Sequence, residues 1–209
     1  SVPFPTTCRS QNGSCVVKTQ AFTNTVTVSG NTYRTSSQNM ICWQGATCTD
    51  PANANATITG TARGWYIDLP GLVTNSSERV TGDSIISDGR VIFTSNAPSS
   101  DPCAFGGDSW LNLLDALTGS RLDVTRVDAA TKQAVLVTIP DPNDATKTIS
   151  VAPSSEHRTG ISSAPTVIQG QGVDYVYTSN SGNGSGPTVG LTPIKGGGGR
   201  QSWRQIDLQ

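Results

Sequence analysis

"GGDSWLNLLDALTGSRLD", residues 106–123, is the stretch on which the fold turns. Two glycines, a tryptophan, a leucine-rich run and an Asp-x-x-Thr-Gly turn are packed into it. Leu111, Leu113 and Leu114 fit either a short helix or a buried strand. The turn from Asp115 to Gly119 separates two runs of about five residues, and a helix confined to either would have to nucleate and break within two turns, which is costly. The leucine run is therefore expected to be a strand. The residues after Thr118-Gly119 are expected to return beside it as the second half of a hairpin.

The same punctuation recurs on both sides. "ERVTGDSIISDGRVIFTSNAP" (78–98) reads as a hairpin turned at Ser87-Asp88-Gly89, because Asp and Gly both tolerate the positive φ of a tight turn. "VVKTQAFTNTVTVSGNTYR" (16–34) alternates and is rich in Val and Thr, giving strand, Ser-Gly-Asn turn, strand. Residues 49–61 offer one strand-like run in "ATITGTA", and "GWYIDLPG" (64–71) is a strand stopped by Pro70-Gly71. Downstream, "QAVLVTIP" and "KTISVAP" flank a polar loop, Asp141–Lys147. "APTVIQGQGVDYVYTSNSG" makes one more hairpin, and the Gly/Ser-rich residues 179–200 read as loop. The pattern predicts roughly ten to thirteen strands and no helix. Hairpins without helical crossovers exclude a Rossmann-like or α/β-barrel design and leave a sandwich or a propeller. The Asp-x-x-Thr-Gly turn favours the propeller, since its Asp can bond back to the turn amides. At about 40–50 residues per blade, the chain holds about four, so an incomplete propeller completed by another segment is the expectation.

Bulk properties narrow the function. The 209 residues carry 14 Lys+Arg against 15 Asp+Glu, a net charge of −1, without any basic run. A nucleic-acid or anionic-membrane surface is not expected from that balance. No apolar run is long enough for a membrane span. The opening residues show no signal-peptide pattern, and the expectation is that Ser1 is a processed or trimmed end. Cys8 and Cys15 lie close together, as do Cys42 and Cys48, without the companion ligands of a zinc site. Two local disulfides, Cys8–Cys15 and Cys42–Cys48, are the simplest account and imply an oxidising compartment, although spacing leaves crossed pairing open. Cys103 is left over, as a free thiol or the partner of a cysteine elsewhere.

From residue 64 onward the chain resembles the C-terminal propeller of the PilY/PilC family of type IV pilus tip-associated adhesins. The matching pieces stand in the family's order: "GWYIDLPG" with "SERV" after it, then "GRVIFTSNAPSSDPCAFGGDSWLNLLDALTGSRLD", "SAPTVI" and the terminal "GRQSWRQI". Residues 1–63 bring cysteines and strands but none of these pieces, so they form a separate disulfide-bearing β segment, a blade or insertion of the same domain, ahead of C-terminal blades over 64–209. The resemblance implies a secreted protein at a pilus tip that assists assembly with minor pilins or other tip proteins and attaches to a host or abiotic surface. Family propellers also carry a calcium loop of the Asp-x-Asn-x-Asp type. Here the corresponding region offers Asp141, Asn143 and Asp144, whose spacing lacks the glycine and distal acidic residue of such a loop. Calcium is the one cofactor in question, and the spacing does not support it. No Arg-Gly-Asp tripeptide is present.

Catalytic readings are weak. His157, in "SSEHRTG", is the single histidine, so any Ser-His-Asp or Cys103-His arrangement would have to use it, and Gly-x-Ser-x-Gly is absent. A polar loop histidine is the plainer reading. Trp65, Trp110 and Trp203 could form a stacking surface for a ligand, but large rings more often fill the gap between sheets. The "GGGG" run at 196–199 lacks the Gly-Lys-Ser/Thr of a phosphate loop. Asn12, Asn55, Asn75 and Asn183 open Asn-x-Ser/Thr triplets that would matter in a eukaryotic secreted chain. The expectation is a non-enzymatic adhesin segment. Its rivals are a quinoprotein-type dehydrogenase, whose propeller repeats share "LDAxTG"-like turns, and a purely structural tip subunit.

Overall fold

The computed structural model describes residues 8–11, 14–50, 53–70, 78–99, 106–123, 126–128, 133–169, 173–182 and 186–191. Among these the chain is all-β. The strands are β1 (Cys8–Gln11), β2 (Ser14–Val28), β3 (Asn31–Ser36), β4 (Thr47–Asp50), β5 (Asn53–Thr59) and β6 (Gly64–Asp68). They continue with β7 (Arg79–Val80), β8 (Ile85–Ser87), β9 (Arg90–Pro98), β10 (Gly107–Asp115), β11 (Arg126–Val127) and β12 (Ala134–Val135). The last are β13 (Val137–Asp141), β14 (Asp144–Val151), β15 (Ser155–Thr159), β16 (Thr166–Ile168), β17 (Asp174–Thr178) and β18 (Gly186–Leu191). Eighteen strands exceed the number expected, because short two- and three-residue edge strands give no readable period.

The principal sheet runs β1-β2-β3-β15-β10-β9-β7, with β6 beside β2 and β8 beside β9. A second sheet runs β12-β11-β18-β17-β16, and β13–β14 and β4–β5 are separate hairpins. The leucine run is indeed a strand, and its position explains its composition. β10 lies between β9 and β15 and is buried on both faces, so its apolar residues do not alternate: Trp110, Leu111, Leu113 and Leu114 are buried around a buried Asn112. Ile92, Leu111 and Leu113 meet Leu122 and Val176 in one core cluster that joins the two sheets. Tyr33, Val137 and Ile139 form a second cluster under the β13–β14 hairpin. The described residues hold no helix, and the principal sheet curls into a half-barrel.

Two hairpins form as read. Ser29-Gly30 and Asp88-Gly89 each place two successive residues at positive φ, the mirror-image turn whose twist suits flanking strands. Four expectations are corrected. The residues after Gly119 do not return beside β10, because β9 and β15 already occupy both of its edges; β11 pairs with β12 and β18 instead. The supposed loop around His157 is β15, one of those two neighbours. Part of the Gly/Ser-rich tail is β18, paired with β17. The Asp141–Lys147 loop shrinks to Pro142-Asn143, because Asp141 Oδ1 accepts a hydrogen bond from Asn143 N at 2.8 Å and closes the turn early. A parallel pairing of β2 with β6 also departs from pure hairpin order. It brings residues on either side of the 63/64 boundary into one sheet.

The Asp115 turn is the most heavily bonded corner. Asp115 Oδ1 accepts from Leu117 N (2.9 Å), Thr118 N (2.7 Å) and Thr118 Oγ1 (2.9 Å). Gly119, at φ +67°, lies against Trp65 of β6, and a Cβ there would fall 2.2 Å from the indole ring. Trp65 Nε1 donates to Ala116 O at 3.0 Å, so the indole is bonded to the turn that it packs on. Asp115→Ala is expected to cost about 1–2 kcal/mol in urea unfolding. Gly119→Ala is expected to cost about 2–4 kcal/mol, since it adds backbone strain to a collision with the ring. Equal, small effects would mean that the turn closes without help from Trp65.

Candidate functional site

The principal sheet carries a buried polar cluster on the face opposite Ile92, Leu111 and Leu113. Arg34 of β3 holds Glu78 through two parallel bonds, Nη1 to Oε2 at 2.9 Å and Nη2 to Oε1 at 2.8 Å. Both side chains are withdrawn from water, at 4% and 0% exposure. The guanidinium lies 3.8 Å from the Trp110 ring centroid and 4.3 Å from that of Phe22, an arrangement in which the ring faces attract the cation. Ser95 Oγ donates to Glu78 Oε1, Asn112 Nδ2 to Ser95 Oγ and Ser155 Oγ to Asn112 Oδ1. The strand register puts Ser155 opposite both Arg34 and Asn112, so the chain of bonds runs straight across the sheet. Both Glu78 oxygens and both Arg34 Nη atoms are bonded within it, which is how an ion pair survives burial, while Arg34 Nε and Trp110 Nε1 are buried without a hydrogen-bond partner among the described residues.

His157 borders this cluster. Its Nε2 lies 3.1 Å from Asp108 Oδ1, and its ring meets Trp110 edge-on at 5.0 Å. No described serine, threonine or cysteine is hydrogen-bonded to the imidazole, so the geometry assembles a carboxylate and a histidine without a nucleophile. Cys103 and Trp203 lie outside the described residues. Trp110 is buried and Trp65 is half-buried against Gly119, so neither forms an open stacking platform.

An open groove of about 500 Å³ lies elsewhere, between β2, the residues after β3, the residues after the Asp115 turn, and the β13–β14 hairpin. Thr23, Asn24, Gln38, Arg121, Asp141 and Asn143 are among its lining residues, with Pro140 and Pro142 on the hairpin side. Most of these polar side chains are anchored at one end. Asn24 Nδ2 donates to Thr23 Oγ1 (3.0 Å) and Thr35 Oγ1 (3.3 Å), and Gln38 Nε2 donates to Asp123 Oδ1 (3.0 Å). The wall at Ser37–Asn39 is fixed by Gln20, whose Oε1 accepts from Ser37 Oγ (2.6 Å) and Asn39 N (3.1 Å). Gln20 Nε2 donates to Asn39 O and to Thr118 O, which ties that wall to the Asp115 turn. Arg121 follows that turn and has no hydrogen-bonded or ion-paired partner among the described residues. Burial lowers its pKa, with Asp123 acting in the opposite sense.

The residues singled out as oxygen donors divide. Asp141 and Asn143 line the groove, as Arg121 does. Asp144 does not line it. Its Oδ1 accepts from Thr146 N and Oγ1, and its Oδ2 pairs with Lys147 Nζ at 2.9 Å. Those bonds hold its carboxyl below the ordinary value. Cys42 and Cys48 form a disulfide across six positions of chain. The Cys8 and Cys15 side chains lie outside the described residues. Sequence reasoning found two groove residues through their oxygen chemistry. It missed Asn24 and Gln38, which belong to no motif, and Arg121, which lies in the 106–123 stretch without standing out there as a binding residue.

No protein-family model matches the chain. In sequence it is similar to the "Type IV pilus biogenesis factor PilY1" of Pseudomonas aeruginosa strains PAO1 and PAK, at 29% identity over 148 residues in each case. That alignment covers 69% of this chain and 12% of the relatives, so the chain spans about an eighth of their length. In fold it is similar to the crystal structure of the Pseudomonas aeruginosa PilY1 C-terminal domain, with a TM-score of 0.55 and 22% identity. The likeness covers 86% of this chain and 32% of that one. The chain thus resembles a PilY1-type C-terminal region in both sequence and structure.

Removing Glu78 would leave Arg34 as an unpaired charge between two aromatic rings. Glu78→Ala is expected to lose about 3–5 kcal/mol in urea unfolding, whereas Arg34→Met combined with Glu78→Leu is expected to lose far less. A double substitution as damaging as the single one would mean that the aromatic stack, and not the ion pair, holds the cluster together.

Proposed function

We propose that this chain is the propeller portion of a pilus tip-associated protein that works in type IV pilus biogenesis and surface adhesion without catalysing a reaction. The observation that carries this reading is the similarity, over more than two-thirds of the chain, to proteins named as type IV pilus biogenesis factors. The geometry supports a binding role. Glu78, Ser95, Asn112 and Ser155 are bonded into one buried chain and His157 is bonded to Asp108, while the groove presents anchored side chains at the surface. Rigid sheets that display polar side chains between strand ends are suited to contact, which needs a fixed shape more than a reactive group.

In this reading residues 64–209 supply C-terminal blades, and residues 1–63 supply a disulfide-bearing segment that extends the same sheet. The protein acts outside the cell, where the Cys42–Cys48 disulfide persists. Its assembly partners are minor pilins or other tip proteins, and its adhesive ligand belongs to a host or abiotic surface.

Excision of the encoding segment from the source bacterium is expected to lower both the number of surface pili and attachment to a test surface. Pili would be counted by electron microscopy and attachment by adherent cell number. Intact pili with lost attachment would restrict the role to adhesion, and lost pili with normal attachment per remaining pilus would restrict it to biogenesis. No change in either would overturn the proposal.

A further inference from the structure

We propose that the groove bounded by Arg121, Asn24, Gln38, Asp141 and Asn143 is a binding site for an acidic saccharide, with Arg121 receiving the sugar carboxylate and the amide and carboxylate side chains receiving ring hydroxyls. This deepens the adhesion reading and rests on it.

Charge limits the ligand first. Arg121 is half-buried and has no partner among the described residues, although it lines an open groove. A guanidinium in that position lacks the planar, doubly bonded contact for which its fork is suited, and a carboxylate supplies it. Asp141 lines the same groove and brings one negative charge against the positive one. A ligand with dense negative charge, such as a phosphodiester chain, would meet that carboxylate, whereas one carrying a single carboxylate per sugar does not overload the site. Asp141 uses Oδ1 for the Asn143 amide, which leaves Oδ2 to accept from a hydroxyl.

Hydrogen-bonding capacity limits it next. Asn24 commits its Nδ2 to Thr23 and Thr35 and retains Oδ1 as an acceptor. Gln38 commits Nε2 to Asp123 and retains Oε1. The Asn143 side chain has no described partner and can both donate and accept. Acceptors from Asn24, Gln38 and Asp141 and donors from Arg121 and Asn143 therefore line one opening, which suits hydroxyls, since each hydroxyl can both donate and accept. Pro140 and Pro142 add apolar surface without donors, against which the C–H face of a sugar ring can lie. The volume of about 500 Å³ is that of a small-ligand cleft.

The test is a calorimetric titration of the intact 209-residue chain with trigalacturonate, with a neutral oligosaccharide of the same length and linkage, and with calcium chloride. Trigalacturonate is expected to bind at least tenfold more tightly than the neutral sugar. Arg121→Gln is expected to remove at least nine-tenths of that affinity with an unchanged melting temperature, and Arg121→Lys to recover only part of it. If Arg121→Gln unfolds the chain, Asn143→Ala is read instead, with an expected loss of at least threefold. Absence of saccharide binding at millimolar concentration, equal binding of the neutral sugar, or insensitivity to Arg121→Gln would each overturn the assignment. So would heat from calcium alone that disappears in Asp141→Asn. The titration involves no pili. A null titration beside lost attachment on excision would reject the groove and keep the adhesion reading, whereas saccharide binding beside unchanged attachment would keep the groove and reject adhesion.

Discussion

The carboxylate of Asp115 organises this corner of the molecule. One oxygen accepts three donors from the two residues that form the turn, so the backbone is bent by a side chain and not by strand pairing. The bend has three consequences at once. It brings Gly119 against Trp65, where any side chain would collide, and so couples β10 to β6. It offers Thr118 O to Gln20, a wholly buried amide whose other bonds fix the Ser37–Asn39 wall. It also delivers Arg121 to the groove two residues later. Each bond contributes only about 1 kcal/mol net, but their geometry is shared, so the loss of the carboxylate loosens all three contacts together.

The principal sheet solves a different problem with its two faces. On one, Ile92, Leu111 and Leu113 meet the second sheet, and burial of apolar area stabilises the stack. On the other, Arg34 and Glu78 are buried at a desolvation cost that their mutual attraction does not necessarily exceed. What the pair contributes is register. Glu78 can be satisfied only where Arg34, Ser95 and, through it, Asn112 coincide, and a one-residue slip of β9 or β10 would break that coincidence.

What was legible in the sequence follows from this. Asp88-Gly89 and Ser29-Gly30 could be read because a tight turn is local chemistry, and the leucine run because a strand buried on both faces is rich in apolar residues without alternation. β15 could not, since "SSEHRTG" is polar and becomes a strand only by filling the edge of β10 that the post-turn residues leave open. The parallel pairing of β2 with β6 has no local signature either. The groove was harder still. Asp141 and Asn143 stood out as oxygen donors close in sequence, but the arginine that lines the same groove is about twenty residues upstream, and Gln38 and Asn24 come from the first forty residues. No spacing rule links four segments that meet only in the folded chain.

The anchoring of those side chains bears on how such a site gains affinity. A free, rotamer-rich side chain costs about 0.5–1.5 kcal/mol to immobilise on binding. Asn24 and Gln38 each have one end of the amide already bonded, and Asp141 is held by the turn amide that it caps. Their ordering is completed on folding, so little of it is left to oppose a ligand. Arg121 differs: it is positioned by the Asp115 turn at its backbone but unbonded at its head, and its desolvation is only partly offset by Asp123. The strongest single gain on binding should therefore come from this half-buried cation, whose head has no bonded partner among the described residues, while the anchored amides select the shape around it. Affinity and selectivity then rest on different residues of the same groove, and substitutions at the two kinds of position should separate them.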